Sequence, residues 1–171
     1  MKKTQKFRTL ALVAGVSTLY GLCGAYAAVL PVTSTIKFMS DITFVSTSGP
    51  NFGYVKAATV ATCVLSTAGV VTGCTSEGGT PAAGVYTIKG SGTGLINISA
   101  NGYTLNGTST PSLATCSYNS VAVGGANCTG TGLAAPGAAG LPLLVGLTVA
   151  TTGGVDGTTD SPTFNLNVVY Q

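Results

Sequence analysis

The chain has 171 residues, 45% of them hydrophobic and only 6% charged, with no histidine and no tryptophan. Without histidine, a Ser-His-Asp or Cys-His catalytic site is excluded, and four acidic residues leave paired-carboxylate chemistry little to work with. The formal charge of +3 is concentrated in the first residues, so it does not describe a basic stripe of the kind nucleic acid requires.

The first element is "MKKTQKFRTLALVAGVSTLYGLCGAYA", with Lys2, Lys3, Lys6 and Arg8 ahead of an apolar run that ends in Ala25-Tyr26-Ala27. A basic start, a short apolar stretch and a small-x-small end read as a secretory signal peptide over residues 1–27. The run is broken by Ser17, Thr18 and glycines and is short for a bilayer span. Cys23 leaves with the peptide. The working chain is then 28–171, a single domain, in which Lys37, Lys56 and Lys89 stand against Asp41, Glu77, Asp156 and Asp160. So few charges suit a chain whose surface is covered by neighbours in an assembly.

Within 28–171 the β-branched residues and Gly-rich punctuation favour strands. "STIKFMSDITFV" (34–45) alternates, with Ile36, Phe38, Ile42 and Phe44 on one face. Residues 53–66 read as a strand pair or a bulged strand, and 69–74 as a short return strand. "EGGTPAAG" (77–84) reads as a loop. Strands follow at 85–91 and 94–105, the second bent at Asn101-Gly102, and a strand or hairpin at 111–123. Residues 130–142 read as a long loop of small residues, and 143–150 as a buried strand. Residues 151–162 form a turn. The last strand is "TFNLNVVYQ", with Phe164, Leu166, Val168 and Tyr170 facing one way. The count is about eight strands at the spacing of an all-β sandwich.

Four cysteines remain: Cys63, Cys74, Cys116 and Cys128. An even number in an exported chain reads as disulfides. Three pairings are open in principle, and the short runs "CVLSTAGVVTGC" and "CSYNSVAVGGANC" favour Cys63–Cys74 and Cys116–Cys128. The spacings lack the tight knuckles of a structural zinc site.

Other motifs carry little chemistry. Asp156 and Asp160 in "DGTTD" do not have the spacing of a regular calcium loop. "KGSGTG" (89–94) lacks the Lys-Ser/Thr end of a phosphate loop. No cofactor and no metal are expected, and the chain does not read as an enzyme.

The two ends of 28–171 carry a resemblance. "TSTIKFMSDIT" (33–43), with Thr35, Ile36, Phe38, Ser40, Asp41 and Ile42 in order, resembles the N-terminal extension of chaperone–usher pilins. The final alternating strand, with Tyr170 next to last, resembles their C-terminal strand. "FGYVKAATV" and "GVYTIKGSG" are similar to a bacterial family of secreted pilin-like sandwiches of unknown function. The cysteines depart from the usual pilin pattern, which places one soon after the extension. The resemblance implies an immunoglobulin-like (pilin-like) sandwich that lacks one strand. It implies a groove bordered by Phe164, Leu166, Val168 and Tyr170, filled first by a periplasmic chaperone and then by a neighbouring subunit. It also implies a donor extension over 29–40, with Ile36, Phe38 and Ile42 as the donor-strand residues.

Physically, this is strand addition to an open sheet edge. Two expectations follow. One is a structural subunit of a bacterial surface fibre, built by donor-strand exchange and located at the cell surface or outside the cell. The other is a self-complete sandwich, in which 34–45 is the domain's own first strand and the protein is a secreted or surface-attached, adhesin-like module binding a glycan or host protein.

Overall fold

The computed structural model describes residues 35, 36 and 38–171. The expected signal peptide (1–27) lies outside the described residues, as do positions 29–34 and Lys37 of the expected donor segment. The residues from Phe38 onward belong to one compact unit.

Its elements, in chain order, are β1 (Thr43–Ser48), β2 (Tyr54–Val55), β3 (Ala61–Leu65), β4 (Val71–Thr72), β5 (Ser76–Gly78), β6 (Gly84–Lys89), β7 (Leu95–Thr104), β8 (Ser109–Tyr118), β9 (Val121–Val123), a one-turn 3-10 segment (Ala126–Cys128), β10 (Gly130–Ala134), β11 (Leu141–Thr151) and β12 (Thr163–Tyr170). The fold is all-β, and every paired strand is antiparallel. Among the described residues, no helix is long and apolar enough to cross a membrane.

The organising strand is β11, apolar at nearly every position and paired along both edges. Along one edge it pairs with β8 over most of its length, from Leu143↔Tyr118 to Thr151↔Ser109. Along the other edge its partner changes: Leu141–Val145 pair with β6, and Leu147–Thr151 pair with β3. Gly146 stands at the change of partner. A Cβ there would run into the Leu65 carbonyl and lie 2.6 Å from Thr115 Oγ1, so only glycine lets β3 and β6 share that edge. β1 continues the sheet beyond β6, β4 beyond β3, and β9 beyond β8.

A second sheet has the order β10–β7–β12. Both sheets contribute to one core. Ile96, Ile98 and Ala100 of β7 pack with Ala114, Cys116 and Tyr118 of β8, Leu143, Val145, Leu147 and Val149 of β11, and Ile88 of β6. Their spacing of two places them on the inward face of each strand. Among the described residues, every buried side-chain nitrogen and oxygen has a hydrogen-bond partner.

Both expected disulfides are present, Cys63–Cys74 and Cys116–Cys128. Cys63, Cys116 and Cys128 are buried, so these bonds extend the core rather than decorate loops. They indicate folding in an oxidising environment.

Several boundaries differ from the sequence reading. The alternation over 34–45 does not produce a strand along its length; the strand begins at Thr43, and 38–42 are irregular. The run 130–142 is not all loop, because Gly130–Ala134 form β10 against β7. Small residues fit there because Gly130 approaches Val123 closely. The bend expected at Asn101-Gly102 is present. It is a bulge inside β7, where the register to β12 shifts and Gly102 takes the left-handed conformation.

Candidate functional site

The outermost strands of the two sheets face each other across a gap. β1 pairs with β6 and β12 pairs with β7. Among the described residues, neither has a second strand on its other edge. Unpaired edges of six and eight residues expose rows of backbone donors and acceptors.

The side chains along the gap follow from strand period. In β12, Phe164, Leu166, Val168 and Tyr170 point inward, while Thr163, Asn165, Asn167 and Val169 are exposed. All four inward residues pack against the core, yet none is fully buried. On the central strand β11, Leu143 and Val145 of the inward face are covered completely. The difference is that β11 is paired on both edges, whereas β12, among the described residues, is paired on one.

One stretch of the groove is lined by Phe44 and Ser46 of β1, Tyr86 of β6, and Phe164 and Leu166 of β12. Phe164 also stacks on Tyr103 of β7, with ring centroids 5.8 Å apart. Desolvation by burial raises the Tyr86 phenol above its ordinary value, so it stays neutral at physiological pH. The other stretch is lined by Met39, Ser40, Asp41 and Ile42 on one lip and by Val168, Val169 and Tyr170 on the other. Asp41 is the one charged residue among these lining side chains. The two stretches fix the direction of the first lip: from Ser40 through Ile42 to Phe44 and Ser46, it runs antiparallel to β12 across the gap.

The lips touch at one end. Tyr170 Oη accepts a hydrogen bond from the Ser91 N–H at 2.8 Å and donates one to the Ser40 carbonyl at 3.0 Å. A side chain on Gly90 would intrude here, its Cβ falling 2.7 Å from the same hydroxyl.

Phe164, Leu166, Val168 and Tyr170, the residues expected to border a groove, share the inward face of β12, the first two lining one stretch and the last two the other. The three expected donor residues divide. Ile36 is 72% exposed and Phe38 is 88% exposed. Ile42 is half-buried and packs against the chain's own core. Sequence reading did not single out Phe44, Ser46 or Tyr86 as groove residues. Phe44 shares the period of Ile36–Ile42, but which lip it joins depends on the β1–β6 register, Phe44↔Ile88 and Ser46↔Tyr86.

Away from the groove, Asp160 is engaged with hydroxyl and amide donors. Its Oδ2 accepts from the Thr108 N–H (2.9 Å), the Thr108 hydroxyl (2.9 Å) and the Ser109 hydroxyl (2.8 Å). These hydrogen bonds, the Ser109 hydroxyl first, hold its carboxyl below the ordinary aspartate value.

Comparison with family models, curated proteins and solved structures finds no match for this chain.

Proposed function

We propose that the chain is a structural subunit of a bacterial surface fibre, an immunoglobulin-like sandwich with one strand position open, polymerised when a segment of a second copy fills that position. The observation that carries this reading is the groove along β12. It combines a backbone edge of eight residues, unpaired among the described residues, with an inward apolar row left half-covered. Strand addition satisfies both, with backbone hydrogen bonds to the edge and alternate side chains packed on the row.

The occupant is argued from reach. Ile36 and Phe38 are large, apolar and exposed, and their spacing of two matches the pleat of a guest strand. Phe38 cannot reach down its own groove. Ser40 is bonded to Tyr170, and from there the chain runs along the groove towards Phe164, leaving Phe38 beyond the Tyr170 end. Leu166 lies about 13 Å from Tyr170 along β12, whereas two residues span at most about 7 Å. The donor is thus residues 29–40 of another copy, with Ile36 and Phe38 inserted and Ile42 retained in its own core. Export through the 1–27 leader and a periplasmic chaperone covering the groove before assembly complete the proposal. Such an edge, left open, pairs with whatever strand it meets.

One observation favours the second reading, a self-complete secreted or surface-attached binding module: β1 is already paired with β6 inside its own domain. One experiment separates the two. The exported chain is compared with a version that starts at Met39 and carries a copy of 29–40 after Gln171 on a short Gly-rich linker. The fibre reading expects the native order to form oligomers and the rearranged chain to be a monomer with a higher melting temperature. A cooperative native monomer that gains nothing from the appended segment would sink the fibre reading.

A further inference from the structure

The groove is not symmetric along its length, and Tyr170 is the reason. At the Phe164–Leu166 end, no hydrogen bond among the described residues joins the two lips, and Phe44, Ser46 and Tyr86 leave a gap. At the other end the Tyr170 hydroxyl bridges three parts of the fold. It belongs to the last inward residue of β12, it accepts from the backbone after β6, and it donates to the lip that leads into β1. Its donated bond crosses the path that a strand pairing with the free edge of β12 would follow past Val168.

We infer that Tyr170 is a clasp that closes one end of the groove. A guest strand from a second copy seats first on Phe164 and Leu166 and advances towards Val168, and the Tyr170–Ser40 bond must open for it to pass residue 170. Tyr170 is therefore a positioning residue that sets the direction and rate of strand uptake. This inference rests on the groove reading above but makes a separate demand.

The clasp has two properties that a merely space-filling tyrosine lacks. It depends on one hydroxyl, which Tyr170→Phe removes while keeping the ring. It also depends on room at position 90, because Gly90→Ala drives a methyl group into the hydroxyl. The two changes perturb the same bond from opposite sides, so each stands in for the other if one fails to fold.

The test uses a fluorescently labelled synthetic peptide of residues 29–40 and exported wild-type, Tyr170→Phe and Gly90→Ala proteins that begin at Met39, so that no copy carries a donor segment and every groove starts empty. Stopped-flow fluorescence follows peptide uptake, and amide hydrogen exchange reports on Ser91. A crossing hydrogen bond of ordinary strength corresponds to roughly a two- to tenfold effect. The expected result is uptake faster by that factor in both variants, with faster exchange of the Ser91 amide. Equal uptake by all three proteins, or unchanged Ser91 exchange, overturns the clasp and leaves the groove reading standing. No uptake by any of them overturns both.

Discussion

The Tyr103 hydroxyl donates to Asn127 Oδ1 at 2.7 Å and accepts from the Ala114 N–H at 2.9 Å. A side chain of β7 in one sheet thereby meets both the backbone of β8 in the other and the one-turn segment that carries Cys128. Burial raises this phenol above its ordinary value, so at neutral pH it keeps the proton it donates. The same ring stacks on Phe164 at the groove, which couples the tie between the sheets to the open edge.

Tyr103→Phe keeps the stack and removes both hydrogen bonds. The Ala114 N–H then loses its acceptor at a fully buried residue. A loss of about 1–3 kcal/mol is expected, read from urea denaturation of the monomeric form. A loss of only about a few tenths of a kcal/mol would mean that water replaces the hydroxyl.

Asp160 predicts the acid limb of stability. Its folded pKa is depressed by the Ser109 and Thr108 donors, so the contribution is fully present above the unfolded value of about 3.9. It is lost as pH falls through the lower folded value. Melting temperatures of wild type and Asp160→Asn should therefore converge on acidification below about pH 4. Curves that stay parallel down to pH 2 would show that the bonds to Thr108 and Ser109 do not form in solution.

Two leucines should separate folding from assembly. Leu143 is fully buried in β11, and Leu143→Ala should cost about 2–5 kcal/mol of stability. Leu166 is half-covered at the groove, so Leu166→Ala should cost less in the isolated subunit, while Leu166→Arg should abolish oligomers and leave the monomer folded. Size-exclusion chromatography and chemical denaturation on the same samples check both halves. Oligomers that persist in Leu166→Arg would place the contact elsewhere.

The disulfides each close a short loop, with sequence separations of 11 and 12. The chain-entropy model gives about 3 kcal/mol for each. Replacing Cys116 and Cys128 with alanine should cost more than replacing Cys63 and Cys74. Both sulfurs of the first pair lie in the core, whereas Cys74 is only half-buried. Thermal melts of the two double variants give the order directly.

What the sequence alone determined was local. Period-two alternation located β12 and its inward row, Phe164 to Tyr170, because successive side chains on a strand must face opposite sides whatever the strand pairs with. Charge scarcity and the absence of histidine excluded whole classes of chemistry. Short spacing made Cys63–Cys74 and Cys116–Cys128 the favoured pairs, since closing a short loop needs little help from the rest of the fold.

Only the tertiary structure decided which strands neighbour which. Register between distant segments depends on packing summed over both sheets, which no short window contains. So the identity of Phe44, Ser46 and Tyr86 as the facing lip came from the β1–β6 pairing. The division of Ile36, Phe38 and Ile42 into exposed arm and own core came from where β1 begins. The small-residue run at Gly130–Ala134 became a strand because Ile96 and Ile98 of β7 supplied an edge for it, against its weak strand propensity. The hydroxyl of Tyr170 reaches Ser91 and Ser40 across 79 and 130 residues of chain, a contact that folding alone brings about.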